Sequence, residues 1–212
     1  MAKRTQGTAV GLSRERIAEA AVALVDRDGL ERFGVRRLAE ELGVDPMSIY
    51  NHIKGKAALL DAVSETVLTE IAVPDGTSSD WETIARSTAH SYRATAYRHP
   101  HVVPLLAARP QTSPAALVAL ERLVTAMRAA GLPEQVVADA PMLLFAFLNG
   151  YLLAVTGAGR TGELPAIDRT RYPTMAALTP RMDDFGSAAE FDRMLDAVLG
   201  GIRDRSDPSA TG

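Results

Sequence analysis

The 212-residue chain contains no cysteine, which excludes disulfide frameworks, thiolate zinc sites, iron–sulfur clusters and thiol nucleophiles. Aromatic residues are scarce at 5%, while Ala, Leu and Val abound, and no stretch alternates apolar and polar residues over the length of a strand. Both absences favour helix and point to an all-α fold. Charge of one sign is missing too. Lys plus Arg number 23 against 26 Asp plus Glu, a formal net charge of −3, so the whole-chain balance asks for no polyanion partner. A hydrophobic content of 47% excludes wholesale disorder. No Walker loop, serine elbow or paired metal-binding helix motif is present, so no catalytic residue and no cofactor are expected. The opening MAKRTQGTAVGLSRER lacks the apolar core of a signal peptide.

One uncharged run, Ala140 to Gly159, is long enough to cross a membrane. It carries Pro141, Asn149, Gly150, Gly157 and Gly159, with only Arg160 as a basic flank. A helix enclosed by protein reads the same way, and a soluble cytoplasmic protein without a membrane partner is the expectation.

Start and stop signals divide the rest. Residues 1–12 read as a flexible arm bearing Lys3 and Arg4. Ser13 caps a first helix that Gly29 ends; a second spans about 35–42 and a third about 46–53, opened by Asp45 and Pro46. A fourth, with Leu59, Leu60, Val63, Val67 and Ile71, reaches Val73. PDGTSSD, residues 74–80, is a loop. Further helices are expected at about 81–98, 102–108, 114–130, 133–156 and 188–204, the last with Ser187 and Glu190 as a capping box. Residues 157–174 read as an irregular loop, with a short helix near 175–178 and a disordered tail at 206–212.

Two short helices joined at a glycine, behind a longer one, form a helix-turn-helix candidate. Ala39 is small where the two helices cross, Gly43 can take the left-handed conformation, and Ile49 anchors the second helix. Chance also supplies small helical hairpins with glycine caps. The outward face of the third helix tips the balance: Pro46, Met47, Ser48, Asn51 and His52 include no acid, and Arg36, Arg37, Tyr50, Lys54 and Lys56 surround them. Such a helix suits a major groove, with Arg36 addressing a guanine edge and Tyr50 and Lys56 holding phosphates.

The run LSRERIAEAAVALVDRDGLERFGVRRLAEELGVDPMSIYNHIKGKAALLDAV resembles the DNA-binding domain of TetR-family transcriptional repressors. The resemblance is carried by Gly43-Val44, Ile49-Tyr50-Asn51-His52, Lys56 and Leu59-Leu60. The remainder resembles the regulatory domain of the tetracycline-repressor subgroup at Trp81, Tyr92-Arg93, Arg109-Pro110, Ala130-Gly131-Leu132, Gly150-Tyr151-Leu152 and the helix from Phe191 to Ile202. This implies a helix-turn-helix domain at 13–60 and a ligand-binding and dimerisation domain at 61–205. It also implies a homodimer on a palindromic double-stranded DNA operator, released by a small-molecule effector. By family position, Arg36, Met47, Ser48, Asn51 and His52 would face bases. Ala72, Thr88 and Leu105 stand where the tetracycline repressor has polar drug-contacting groups, which speaks against tetracycline and its magnesium.

Two further expectations concern the regulatory part. Small residues Ala146, Gly150 and Ala154 recur every four positions, and the last helix carries Phe191, Met194, Leu195, Val198, Leu199 and Ile202 as an apolar stripe. Either these form the core of one chain, or, as the resemblance implies, Ala146, Gly150, Ala154, Met194, Leu195, Val198 and Ile202 build a dimer interface. Thr88, Tyr92, Leu105, Arg109, Phe145 and Asn149 are the expected lining of an effector cavity. His99-Pro100-His101 has the wrong geometry for a helical metal pair, so no metal is expected. The fourth helix is the expected lever between reading head and effector. Two rivals remain: a dinucleotide-binding enzyme using the G-x-G-x-x-G match at residues 157–162, and a helical interaction module that reads no DNA.

Overall fold

The computed structural model describes residues 11–74, 80–109, 113–157 and 167–206. Residues 1–10 of the expected arm, most of the 74–80 loop, Pro110, the glycine motif after Gly157 and residues 207–212 of the terminal tail lie outside the described residues. Within them every regular element is helical: α1 (Arg14–Asp28), α2 (Val35–Leu42), α3 (Pro46–His52), α4 (Gly55–Thr69), α5 (Trp81–Arg98), α6 (Val103–Ala108), α7 (Pro114–Ala129), α8 (Glu134–Thr156), α9 (Pro173–Leu178) and α10 (Ala188–Asp204). Short 3-10 turns at Leu30–Arg32 and Thr179–Arg181 were not foreseen from the sequence.

The chain separates into two compact units after Glu70. In the first, α1 packs on α4 and α2, and α2 on α3. The apolar stripe of α1 (Ile17, Ala21, Leu24, Val25) is buried together with Phe33, Leu38, Ile49, Ile53, Leu59 and Val63. The Ser13 hydroxyl accepts from the Arg16 N–H at 3.2 Å, and Gly29 closes the helix at φ 79°. Because α4 buries Leu59, Ala62, Val63 and Val67, it belongs to this unit rather than to the one that follows. It stops at Thr69, four residues before the expected end at Val73. The Thr66 and Thr69 hydroxyls donate to the carbonyls of Ala62 and Thr66, and Pro74 disfavours helical geometry at Val73.

The second unit is built around α8, which packs against α5, α6, α7 and α10. Its inner face buries Val137, Ala140, Leu144, Leu148, Tyr151 and Leu152. The helix is not enclosed on its whole circumference: Met142, Leu143, Ala146, Gly150, Leu153 and Ala154 are exposed. It is long and apolar enough to span a membrane by composition, yet it also carries this packed face.

Polar contacts, two of them ion pairs, run in antiparallel order between α10 and α5. Glu82 meets Arg203 at 3.0 Å, Arg86 meets Asp196, and His90 meets Asp192 at 3.1 Å. Arg93 and the Tyr97 O–H both donate to the Gly186 carbonyl at 3.0 Å. The expected capping box forms only in part. Ser187 accepts from the Glu190 N–H, but the Glu190 carboxylate takes the N–H of Gly186 and the O–H of Tyr151 instead of reaching back to Ser187.

Candidate nucleic-acid interface and ligand cleft

The turn between α2 and α3 is a Schellman motif. Gly43 sits at φ 66°, ψ 34°; the Val44 N–H donates to the Ala39 carbonyl at 3.0 Å and the Gly43 N–H to that of Glu40 at 3.2 Å. The Asp45 carboxylate then accepts from the Met47 N–H at 2.8 Å, with Pro46 in the first turn where its missing donor costs nothing. Ile49 and Ile53 are buried at 1% and 2% exposure, fixing the rotation of α3.

That rotation turns the expected reading residues outward. Met47 is 65% exposed, an unusual place for a large apolar side chain unless something covers it. Tyr50, Asn51 and His52 are exposed beside it; Pro46 and Ser48 are half-buried. Arg36, Lys54 and Lys56 are exposed around the same surface.

Ion pairing sorts the head's cations. Arg14 pairs with Glu65 at 3.2 Å, and Arg27 forks onto Glu41 at 3.1 and 2.9 Å. That fork holds the Glu41 carboxyl below its usual range. Among the described residues Arg36, Lys54 and Lys56 have no acidic partner. Arg37 departs from the expectation that it stands with Arg36, since its guanidinium lies 3.0 Å from Asp28. A phosphate would have to compete with that carboxylate.

In the second unit a cleft of about 660 Å³ opens between α6, α7 and α8. Of the six expected pocket residues, Arg109, Phe145 and Asn149 line it. Tyr92 stands behind them, 1% exposed: its O–H donates to Asn149 Oδ1 at 2.7 Å and its ring meets that of Phe145 edge-on at 5.8 Å. Burial pushes the Tyr92 phenol above its ordinary value, so it is a neutral donor. Thr88 and Leu105 are buried away from the lining, which corrects their assignment to the cavity wall. The apolar walls missed from sequence are Ala107, Ala108, Leu120, Pro141 and Met142. Their only sequence signal was Pro141, which removes a donor from inside α8.

The expected dimer residues divide. Ala146, Gly150, Ala154 and Met194 are exposed, and Val198 is half-buried. Leu195 and Ile202, at 0% and 3% exposure, are already covered by their own chain and offer a second copy no area, which corrects that part of the expectation. Helical periodicity explains the split: they share a face with Phe191 and Leu199, both buried. Ala146 lines the cleft as well as belonging to the exposed stripe.

The dinucleotide reading fails on its local structure. The chain is helical up to Thr156, where the motif needs a strand, and Gly157 caps that helix by donating to the Leu153 carbonyl at 3.1 Å. Among the described residues no group of His, Asp or Glu is arranged to hold a metal ion.

Comparison with known proteins matches two family models. Residues 17–63 match the bacterial regulatory proteins of the tetR family, and residues 73–206 match the tetracyclin repressor-like C-terminal domain. The transcriptional repressor DrrR1 of Streptomyces coeruleorubidus is 30% identical over 92% of this chain and 80% of its own length. The class D tetracycline repressor of Escherichia coli is 33% identical over 42% of this chain and 41% of its own. Among solved structures, ActR of Streptomyces coelicolor in complex with actinorhodin superposes with a TM-score of 0.83, at 26% identity, over 95% of this chain and all of that one.

Proposed function

This chain belongs to the TetR family of bacterial regulatory proteins, and we propose that it represses transcription as a cytoplasmic homodimer on a palindromic operator, released by a small-molecule effector. The reading that carries furthest is a ligand-responsive transcriptional repressor with no catalytic role. The single observation behind it is α3: Ile49 and Ile53 inward, and Met47, Tyr50, Asn51 and His52 outward, with the exposed cations Arg36, Lys54 and Lys56 that have no acidic partner among the described residues. Arg36, Met47, Ser48, Asn51 and His52 read base edges, while Tyr50 and Lys56 hold phosphates. The exposed stripe of α8, with Met194 of α10, is the face for a second copy.

Linkage supplies the mechanism. An effector that binds better to the state with mis-spaced reading helices weakens operator binding by the same factor that DNA weakens effector binding. The covalent path from head to regulatory unit leaves through α4, the head's last helix, which makes α4 the element whose position the two equilibria share.

The test is to sequence genomic fragments retained by the purified full chain and to titrate the enriched site. An inverted repeat bound by two copies is expected. Replacing Arg36 with Ala should blur preference at one base position while leaving the others; an unchanged preference removes that assignment. Retention of no specific sequence would favour an interaction module without DNA binding.

A further inference from the structure

The head leaves its exposed apolar area on one short helix. Among the described residues up to Glu70, Met47 and Tyr50 are the only large apolar side chains that stay exposed, and both lie on α3. Tyr50 has a hydroxyl to offer, whereas Met47, at 65% exposure, has only methylenes and a thioether. Met47 stands in the first turn of α3, the part of a reading helix that meets base edges. That turn is not built for a phosphate. Pro46 has no N–H, the Met47 N–H is donated to the Asp45 carboxylate at 2.8 Å, and the Ser48 N–H to the Asp45 carbonyl at 2.9 Å. The exposed Asp45 carboxylate adds a negative charge beside them. The cations that suit phosphates, Arg36, Lys54 and Lys56, lie on α2 and at the start of α4.

From this we infer that Met47 reads the 5-methyl group of a pyrimidine in each operator half-site, and that the head is thereby a sensor of base methylation. This rests on reading α3 as the major-groove helix. In that groove the C5-methyl of thymine is the apolar group a base pair presents, and 5-methylcytosine projects the same group from the same ring atom. The other base edges there carry donors and acceptors, which a thioether would strip of water without replacing the lost hydrogen bonds. An unbranched side chain with a polarisable sulfur can settle on a methyl from several directions. Burying one methyl against it is worth about fourfold in affinity, and about fifteenfold when both half-sites change together. Cytosine methylation at the position that Met47 covers therefore tightens operator binding instead of blocking it.

The test uses the full chain and a labelled duplex carrying the inverted repeat that it enriches from genomic DNA, read by anisotropy. Thymines are replaced in symmetric pairs by deoxyuridine, which removes the methyl and leaves every donor and acceptor in place. One pair should weaken binding by about fifteenfold. Met47→Ala should bind the thymine duplex as weakly as the unaltered protein binds that uracil duplex, and should no longer distinguish the two. Met47→Leu should keep the distinction, and thermal unfolding of both variants should be unchanged because the side chain is exposed. At the same pair, 5-methylcytosine should bind more tightly than cytosine, again through Met47. The inference is overturned if no pair is sensitive to uracil, if the thymine–uracil gap survives in Met47→Ala, or if 5-methylcytosine is no better than cytosine. Failure of the repressor reading looks different: the full chain then retains no specific sequence, and the methyl contact falls with it.

Discussion

Replacing Gly43 with Ala isolates the cost of the turn between the two short helices. A Cβ added there meets no atom within 4 Å, so no steric clash contributes. What remains is conformational. At φ 66°, ψ 34° an L-residue other than glycine costs about 1–2 kcal/mol, partly offset by about 0.4–1 kcal/mol from the stiffer unfolded chain. The net loss is about 1 kcal/mol, which for a unit of this size lowers its melting temperature by roughly 4–8 °C. Scanning calorimetry of the full chain, following the head's transition, measures this. Gly43→Asn provides the control, because asparagine tolerates the left-handed region, and it should lose markedly less. Equal losses in Ala and Asn, or none in either, would refute the claim that backbone geometry at this position holds α2 against α3.

Further outcomes follow from the same structure. Tyr50→Phe with Lys56→Ala should weaken DNA binding across sequences and reduce the slope of log affinity against log salt by about one, read by titration at several ionic strengths. Gly150→Arg, at an exposed position where a Cβ meets nothing within 4 Å, should leave thermal stability of the monomer intact and shift sedimentation from dimer toward monomer. Leu195→Ala should instead cost about 2–5 kcal/mol of unfolding free energy in denaturant titration, because it empties the chain's own core. Asp80 caps α5 through the N–H groups of Glu82 and Thr83 and the Thr83 hydroxyl, and these bonds hold its carboxyl below the ordinary 3.8. Its stabilising effect is therefore complete above that value and fades as pH falls through the lower folded value; Asp80→Asn should flatten this acid limb of the stability curve.

Helix existence was most legible where a start has a local cause: Ser13, Asp45, Asp80, Ser113 and Ser187 all accept from N–H groups in the following turn, whereas α2, α4, α6, α8 and α9 begin without a side-chain cap. The misses came where tertiary partners compete with local rules. Glu190 was expected to close a box on Ser187, but Tyr151, 39 residues away, and the Gly186 N–H claim its carboxylate. Periodicity placed Leu195 and Ile202 on an apolar stripe, yet a stripe does not say which part its own chain covers. For the cleft, the polar members were readable as polar anchors, whereas Ala107, Ala108 and Leu120 carry no chemistry that marks a wall.

Net charge was the least informative quantity in the sequence, and ion pairing explains why. Residues 1–60 hold 10 Lys plus Arg against 8 Asp plus Glu, an excess too small to draw a protein to DNA. The acids, however, are not spread evenly. Asp28, Glu41 and Glu65 are engaged by Arg37, Arg27 and Arg14. Neutralised pairs contribute little to the field beyond a Debye length, about 8 Å at physiological salt. The field near the reading helix then depends on the charges left over: among the described residues these include the cations Arg36, Lys54 and Lys56 and, against them, Asp45 at the start of α3 and Glu15, which interacts with His52. A weakly basic head can therefore present a basic reading face. Reversing the arrangement tests the point: Glu41→Gln leaves Arg27 paired with Asp28 alone and should raise nonspecific DNA affinity only slightly, whereas Lys54→Gln should lower it, although both change the charge of the head by one. If affinity followed net charge alone, the two shifts would be equal in size and opposite in sign. If it follows local pairing, Lys54→Gln has the larger effect, and its salt slope drops while that of Glu41→Gln barely moves.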